Sequence, residues 1–246
     1  MVYQGSKARL RKYILPILQN CIDKNNVEVY IEPFVGGGNM IDHVKCKTKI
    51  GSDINAELID LLKYMQADPA LSIFPSECSL EHYIDVRESR KKCLQKYTSS
   101  YTAGIGYFSS YGGRYFDGGY ARGSREDGRN LYAERLKNAR LQAPLLKDIE
   151  FNVCDYASYL GVKGAVIYCD IPYFNVSGYG KQKFDYERFY DFCRVMAVNN
   201  YVFISEFYMP EDFECIWSRE RKISLKSMRE VSDNAVEKLF VVKERI

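Results

Sequence analysis

Two short segments combine residue types and spacings that fit chemistry. The first is Asp170-Ile171-Pro172-Tyr173, which ends the clearest strand-like run in the chain, Ala165-Val166-Ile167-Tyr168-Cys169. It offers a carboxylate, a backbone carbonyl at Ile171 and an aromatic face at Tyr173, on a backbone stiffened by Pro172. Those are the parts needed to hold an aromatic amine and alkylate it. The second is Phe34-Val35-Gly36-Gly37-Gly38-Asn39, directly after the apolar stretch Val27–Ile31. Glycine in a strand-to-helix turn lets backbone approach a ligand and leaves amide groups free to bind it. Asp53 follows 15 residues after Gly38, where a carboxylate can accept both hydroxyls of a ribose. A dinucleotide fingerprint needs a third glycine where this chain has Ile41, so a nucleoside without phosphates fits better than a pyrophosphate cofactor. Taken singly, each segment also fits an ordinary tight turn.

Both segments need a frame that presents strand ends, and the sequence predicts one. Val27–Ile31, Lys49–Ser52, Ile149–Val153, Ala165–Cys169 and Tyr201–Ile204 read as short strands, with a helix over Ala56–Met65. Such alternation predicts an α/β fold with a largely parallel sheet, in which ligands bind at the carboxyl ends of the strands. Lys222–Leu225 and Leu239–Lys243 are expected to pair as an antiparallel hairpin.

Residues 67–145 break this rhythm and read as an insertion, leaving 1–66 and 146–246 as the main domain. Tyr83–Tyr97 reads as a charged helix, and Asn130 as the cap of a helix burying Tyr132, Leu136, Ala139 and Ala143. Between them, Tyr101–Gly123 holds seven glycines in 23 residues, a composition expected of loop. Its aromatic residues, Tyr107, Phe108, Tyr111, Tyr115, Phe116 and Tyr120 among them, interleave with Arg114, Arg122, Arg125 and Arg129. Residue by residue, a Tyr-rich minor core with solvated arginines is the plainer reading. The net charge is only +3, but residues 87–140 hold twelve Lys and Arg against five Asp and Glu. Residues 1–24 hold five Lys and Arg against Asp23 alone. Basic charge gathered into two segments suits a polyanion as well as it suits a solvated face.

In order and spacing these elements resemble the Dam-like adenine-N6 DNA methyltransferases, including stand-alone enzymes of phages. That family's aromatic-x-G-x-K element is matched by Tyr3-Gln4-Gly5-Ser6-Lys7, and its E-P-F-x-G-x-G by Glu32-Pro33-Phe34-Val35-Gly36-Gly37-Gly38. Its acidic D-I-N is matched by Asp53-Ile54-Asn55, and its D-P-P-Y by Asp170-Ile171-Pro172-Tyr173, with isoleucine in place of the first proline. The resemblance implies a Rossmann-like methyltransferase sheet with an inserted, mainly helical and loop target-recognition module. It implies S-adenosylmethionine as methyl donor, double-stranded DNA as partner, and no metal, and it allows for a partner restriction nuclease. Tyr3, Lys7, Phe34, Gly36, Gly38, Asp53, Asp155 and Asp170 would line the donor site, with Asp155 near the donor's adenine. Asp170, Ile171, Pro172 and Tyr173 would carry catalysis, with Tyr173 acting through its ring face and not its hydroxyl. Arg114, Tyr120, Arg122, Arg125 and Arg129 would meet DNA.

Composition narrows the remaining classes. Eight cysteines without a C-x-x-C pair and only two histidines, His43 and His82, predict reduced thiols and no structural zinc. No apolar run approaches the ~18 residues of a membrane helix, and the basic start has no apolar leader, so a cytoplasmic location is expected. Trp217 reads as a packing residue. Two rivals stay open on the sequence: a methyltransferase acting on RNA or a protein amide, and a DNA-binding protein without catalysis.

Overall fold

The computed structural model describes residues 1–122, 129–173, 184–222 and 234–243. Its strands, β1 (Val29–Glu32), β2 (Thr48–Asp53), β3 (Ile149–Val153), β4 (Ala165–Asp170), β5 (Tyr201–Glu206), β6 (Phe213–Lys222) and β7 (Asn234–Val242), form one sheet. Their order is β3-β2-β1-β4-β5-β7-β6. The chain divides into two compact units. One comprises Met1–Arg11, Val35–Val44 and Gly51–Cys154; the other comprises Lys12–Phe34, Lys45–Ile50 and Asp155–Ile246.

In the second unit β4 lies between β1 and β5 and runs parallel to both, with Tyr30 opposite Val166 and Tyr168 opposite Phe203. Its apolar composition follows from that position, because a parallel strand covered on both faces has no polar side to show. Residues 165–169 are at most 1% exposed. Val166 and Ile167 each contribute ~1.5–3 kcal/mol by burial, which makes β4 a stiff support for the Asp170 segment at its end. β7 then pairs antiparallel with β5, and β6 antiparallel with β7. An antiparallel pair is present, but not the expected pairing of Lys222–Leu225 with Leu239–Lys243: Leu239 faces Trp217 and Lys222 faces Asn234, and residues 223–225 lie outside the described residues. The polar, alternating stretch 213–221 hides a strand whose apolar face is interrupted by charge. Trp217 packs as expected, stacked on Tyr13 of helix α1 (Arg11–Lys24) at 6.1 Å.

In the first unit helix α2 (Ala56–Ala67) packs on α4 (Ser99–Ser109), and α4 packs on α3 (Leu80–Lys91) and α5 (Leu131–Gln142). Each begins where a side chain caps the first free amides: Asn55, Ser79, Thr98 and Asn130 accept from Leu58, His82, Tyr101 and Ala133. The charged helix therefore starts at Leu80 rather than Tyr83. It stops at Lys91, before Cys93 and Gln95 adopt positive φ. α5 buries Tyr132, Leu136 and Ala139 as its spacing predicts, and Ala143 is buried in the turn that follows.

The expected glycine loop is the main correction. Its first half is helix α4, in which Gly104 and Gly106 serve packing. A Cβ on Gly104 would lie 2.2 Å from the Phe74 ring, and one on Gly106 would lie 2.4 Å from the Tyr115 ring. Helix propensity disfavours glycine by only ~1 kcal/mol, less than the overlap an alanine would create. Only from Tyr111 onward does the segment turn, with Gly112, Gly113 and Gly119 at φ near +65°.

Candidate functional site

The first unit brings together Tyr3, Lys7, Gly36, Gly38 and Asp53. Asp53 ends β2 as a half-buried residue whose carboxyl group is held by backbone amides, Asn55 N at 2.9 Å and Gly36 N at 3.4 Å. Burial pushes its pKa up to about 6 against the opposing pull of those amides. A carboxylate enclosed in this way gains from further hydroxyl donors, which is what a ribose supplies. Lys7 is 6% exposed, in a one-turn 3-10 segment capped by Ser6. Gly36 and Gly38 adopt φ of +48° and +67°, which reserves both positions for glycine. Their amides are engaged, Gly36 N with Asp53 and Gly38 N with Val35 O, so they are not free for a ligand as the sequence suggested. Gly36 and Gly37 instead make room for Tyr3, since a Cβ on either would come within 2.8 Å of its side chain.

The second unit brings together Asp170, Ile171, Pro172 and Tyr173 at the end of β4, with Asp155 and Phe34 elsewhere in the same unit. The Ile171 side chain is 2% exposed and belongs to the core. Tyr173 is buried, and its ring meets Phe207 edge-on at 4.5 Å. Its hydroxyl donates to Glu237 Oε2 at 2.7 Å, a contact for which the sequence reading had no place. Pro172 O accepts from the Tyr186 hydroxyl at 2.9 Å. Phe34 sits among Tyr156, Phe184 and Phe189 at 5.5–5.9 Å. Asp155 caps the turn over Tyr156–Tyr159 and pairs with Arg188 at 2.9 Å.

The candidate DNA-facing residues divide by what holds them. The loop after α4 is closed by a bridge between Ser110 and Tyr120, and Arg135 Nη1 donates to Phe108 O and Ser110 O. Tyr120 is spent on this frame, its hydroxyl donating to Cys78 O at 2.6 Å. Tyr107, Phe108 and Phe116 are buried in the minor core, whereas Tyr111 is 59% exposed. Arg114 is half-buried and Arg122 exposed, and neither forms an ion pair with another described residue. Arg129 holds Glu134 through two hydrogen bonds at 3.0 and 2.8 Å. Arg125 lies outside the described residues.

A family model described as D12 class N6 adenine-specific DNA methyltransferase matches residues 3–231, from Tyr3 past the whole Asp170–Tyr173 segment. The chain belongs to this family. It is an enzyme that methylates adenine N6 in DNA at specific sites, and nothing in the match favours the RNA, protein-amide or non-catalytic readings. Methyltransferases of this kind generally draw on S-adenosylmethionine. All eight cysteines of the methyltransferase are free thiols, and no helix among the described residues is long and apolar enough to cross a membrane.

Two residues of the methyltransferase escaped the sequence reading. Gln142, 6% exposed at the end of α5, donates to Gly37 O and Gly38 O at 3.1 Å and to Asp42 at 2.9 Å, so it fixes the glycine turn. Glu237 is the other. The available signal in both cases is a polar residue at a position whose periodicity is apolar: Gln142 follows Leu136 and Ala139, and Glu237 precedes Leu239 by two.

Proposed function

We propose that Asp170, the Ile171 carbonyl and Tyr173 activate the target adenine. N6 is a weak nucleophile because its lone pair is delocalised into the ring. Acceptors at Asp170 and Ile171 O bind its two hydrogens and favour a more tetrahedral nitrogen. Tyr173 stacks on the base, and as N6 gains positive charge the ring face contributes a cation–π term of roughly 0.5–2 kcal/mol. The base must leave the duplex first, at a cost of a few kcal/mol.

S-adenosylmethionine supplies the methyl group from a sulfonium. Asp53 accepts its ribose hydroxyls, and Lys7 offers a buried cation to its carboxylate. Tyr3, Gly36 and Gly38 shape this end of the site. Phe34 supplies an aromatic surface for its adenine and Asp155 a polar contact, in competition with Arg188. This assignment uses no metal. Residues 67–145 are proposed as the target-recognition module on a main domain of 1–66 and 146–246. Within it the loop from Tyr111 to Arg122 carries base recognition: Arg114 and Arg122 reach DNA groups, and Tyr111 stacks or wedges at a base step. Arg129 and Tyr120 serve DNA binding mainly by holding that surface, and Arg125 is kept as a phosphate or base contact.

The observation that carries the proposal is the placement of Asp170–Tyr173 at the end of the central parallel strand, where α/β folds bind ligands. Tyr173→Ala should cut methyl transfer about a hundredfold while leaving donor affinity unchanged. An Ala variant that transfers methyl at the parent rate contradicts the role given to this ring.

A further inference from the structure

We propose that Glu237 is a positioning residue for methyl transfer, holding the Tyr173 ring in its working orientation through the phenolic hydroxyl. The inference rests on the reading of Tyr173 as the ring that stacks on the target base.

Side chains alternate across a strand, so Glu237 and Leu239 of β7 point to the same face. Leu239 is fully buried and Glu237 is 3% exposed, so a carboxylate occupies a place that an aliphatic side chain fills two residues later. Burying a carboxylate is costly unless it is hydrogen-bonded, and retaining one at a core register calls for a specific use. Among its contacts is the 2.7 Å bond from the Tyr173 hydroxyl, buried at both ends. Phe207 meets the ring at 72°, and an apolar ring contact of that kind tolerates rotation about the Cβ–Cγ bond. The backbone is fixed by Pro172 and by the Tyr186 bond to Pro172 O. The hydroxyl bond is a directional restraint at the far end of the ring, and together with the fixed backbone it constrains the plane. β7 is tied antiparallel to β5, with Ser205 opposite Leu239 and Glu206 opposite Lys238, so Glu237 is carried on a sheet strand and not on a loop. A stacking platform must match the plane of the base, and a small tilt loses both overlap and alignment of the reacting nitrogen.

The test is single-turnover methyl transfer at saturating DNA and donor, with donor affinity and melting temperature measured alongside, in Tyr173→Ala, Tyr173→Phe, Glu237→Leu, Glu237→Gln and the Tyr173→Phe/Glu237→Leu double variant. Tyr173→Phe and Glu237→Leu should each slow transfer about tenfold with donor affinity unchanged. The double variant should also lose about tenfold, not a hundredfold, because both changes remove one bond. Glu237→Gln keeps an acceptor oxygen and should recover most of the rate lost in Glu237→Leu. A purely structural carboxylate would change melting and leave the rate and its recovery unaffected. If Tyr173→Ala is slow while Tyr173→Phe keeps the parent rate, the role of Glu237 is overturned and the stacking role stands. Additive losses, or a Gln variant as slow as the Leu variant, also overturn it. If Tyr173→Ala itself keeps the parent rate, the stacking role falls first. Should Glu237→Leu fail to fold, the Phe and Gln variants still decide.

Discussion

Asp53 is the residue whose environment makes the sharpest statement about donor binding. Its carboxyl pKa stands at about 6 in the protein, above the ordinary value of about 3.9, and burial is the main cause. The sign follows from linkage. Because the folded pKa is raised, ionising Asp53 costs folding stability as pH rises from about 4 through 6. Ribose hydroxyls need the ionised acceptor, so bound donor favours the carboxylate. Donor affinity should therefore be level above about pH 7 and fall as pH drops through 6. Asp53→Asn should bind donor at least about tenfold more weakly at pH 8, since a hydrogen bond to a charged group contributes ~1.5–3 kcal/mol, and it should lose the pH dependence. Calorimetry showing the same affinity and the same pH profile in parent and variant would remove Asp53 from the donor site. The sequence marks Asp53, Gly36 and Asp170 as candidates because their types and spacing match what that chemistry would need. It could not reveal that Gly36 and Gly37 yield space to Tyr3, because that contact joins residues more than 30 apart. Nor could it show the Tyr173–Glu237 bond, for the same reason.

At the scale of elements, strands β1 to β5 and helices α2 and α5 were readable because local signals and packing agree in them. β4 reads as a central strand from its apolar run, and α5 begins at the predicted Asn130. α4 was not readable, because glycines count against helix in any local reckoning. The rings of Phe74 and Tyr115 that require Gly104 and Gly106 come from outside the helix. The loop after it carries a prediction. Base-edge contacts specify sequence while phosphate contacts position the protein. Arg114→Ala or Arg122→Ala should relax preference at one base pair of the recognition site, by about 1–3 kcal/mol, without altering donor affinity. Arg129→Ala should weaken all sequences alike, since its guanidinium is engaged by Glu134. Binding measured on every single-base variant of the site checks both statements. Unchanged preference in both the Arg114 and Arg122 variants would exclude this loop's arginines from base reading, and the basic stretch Lys7 to Lys12 would be tested next.

For the whole molecule, the family match gives the chemistry, adenine N6 methylation in DNA, and the mixed sheet with its central parallel strands is a frame compatible with it. Modest net charge does not oppose this, because net positive charge gathers in residues 1–24 and 87–140 while the rest of the chain is net acidic. A polyanion senses the local patch and not the sum. The central claim is that Asp170–Tyr173 performs the transfer from S-adenosylmethionine. Its most direct measurement gives the protein duplex DNA containing the mapped site and S-adenosylmethionine with an isotopically labelled methyl group, then digests the DNA and identifies labelled nucleosides by mass. Parent protein should place label in N6-methyladenine, and Asp170→Ala should place essentially none while still folding. Label in a methylated cytosine, or an Asp170→Ala variant that transfers at the parent rate, would contradict the claim.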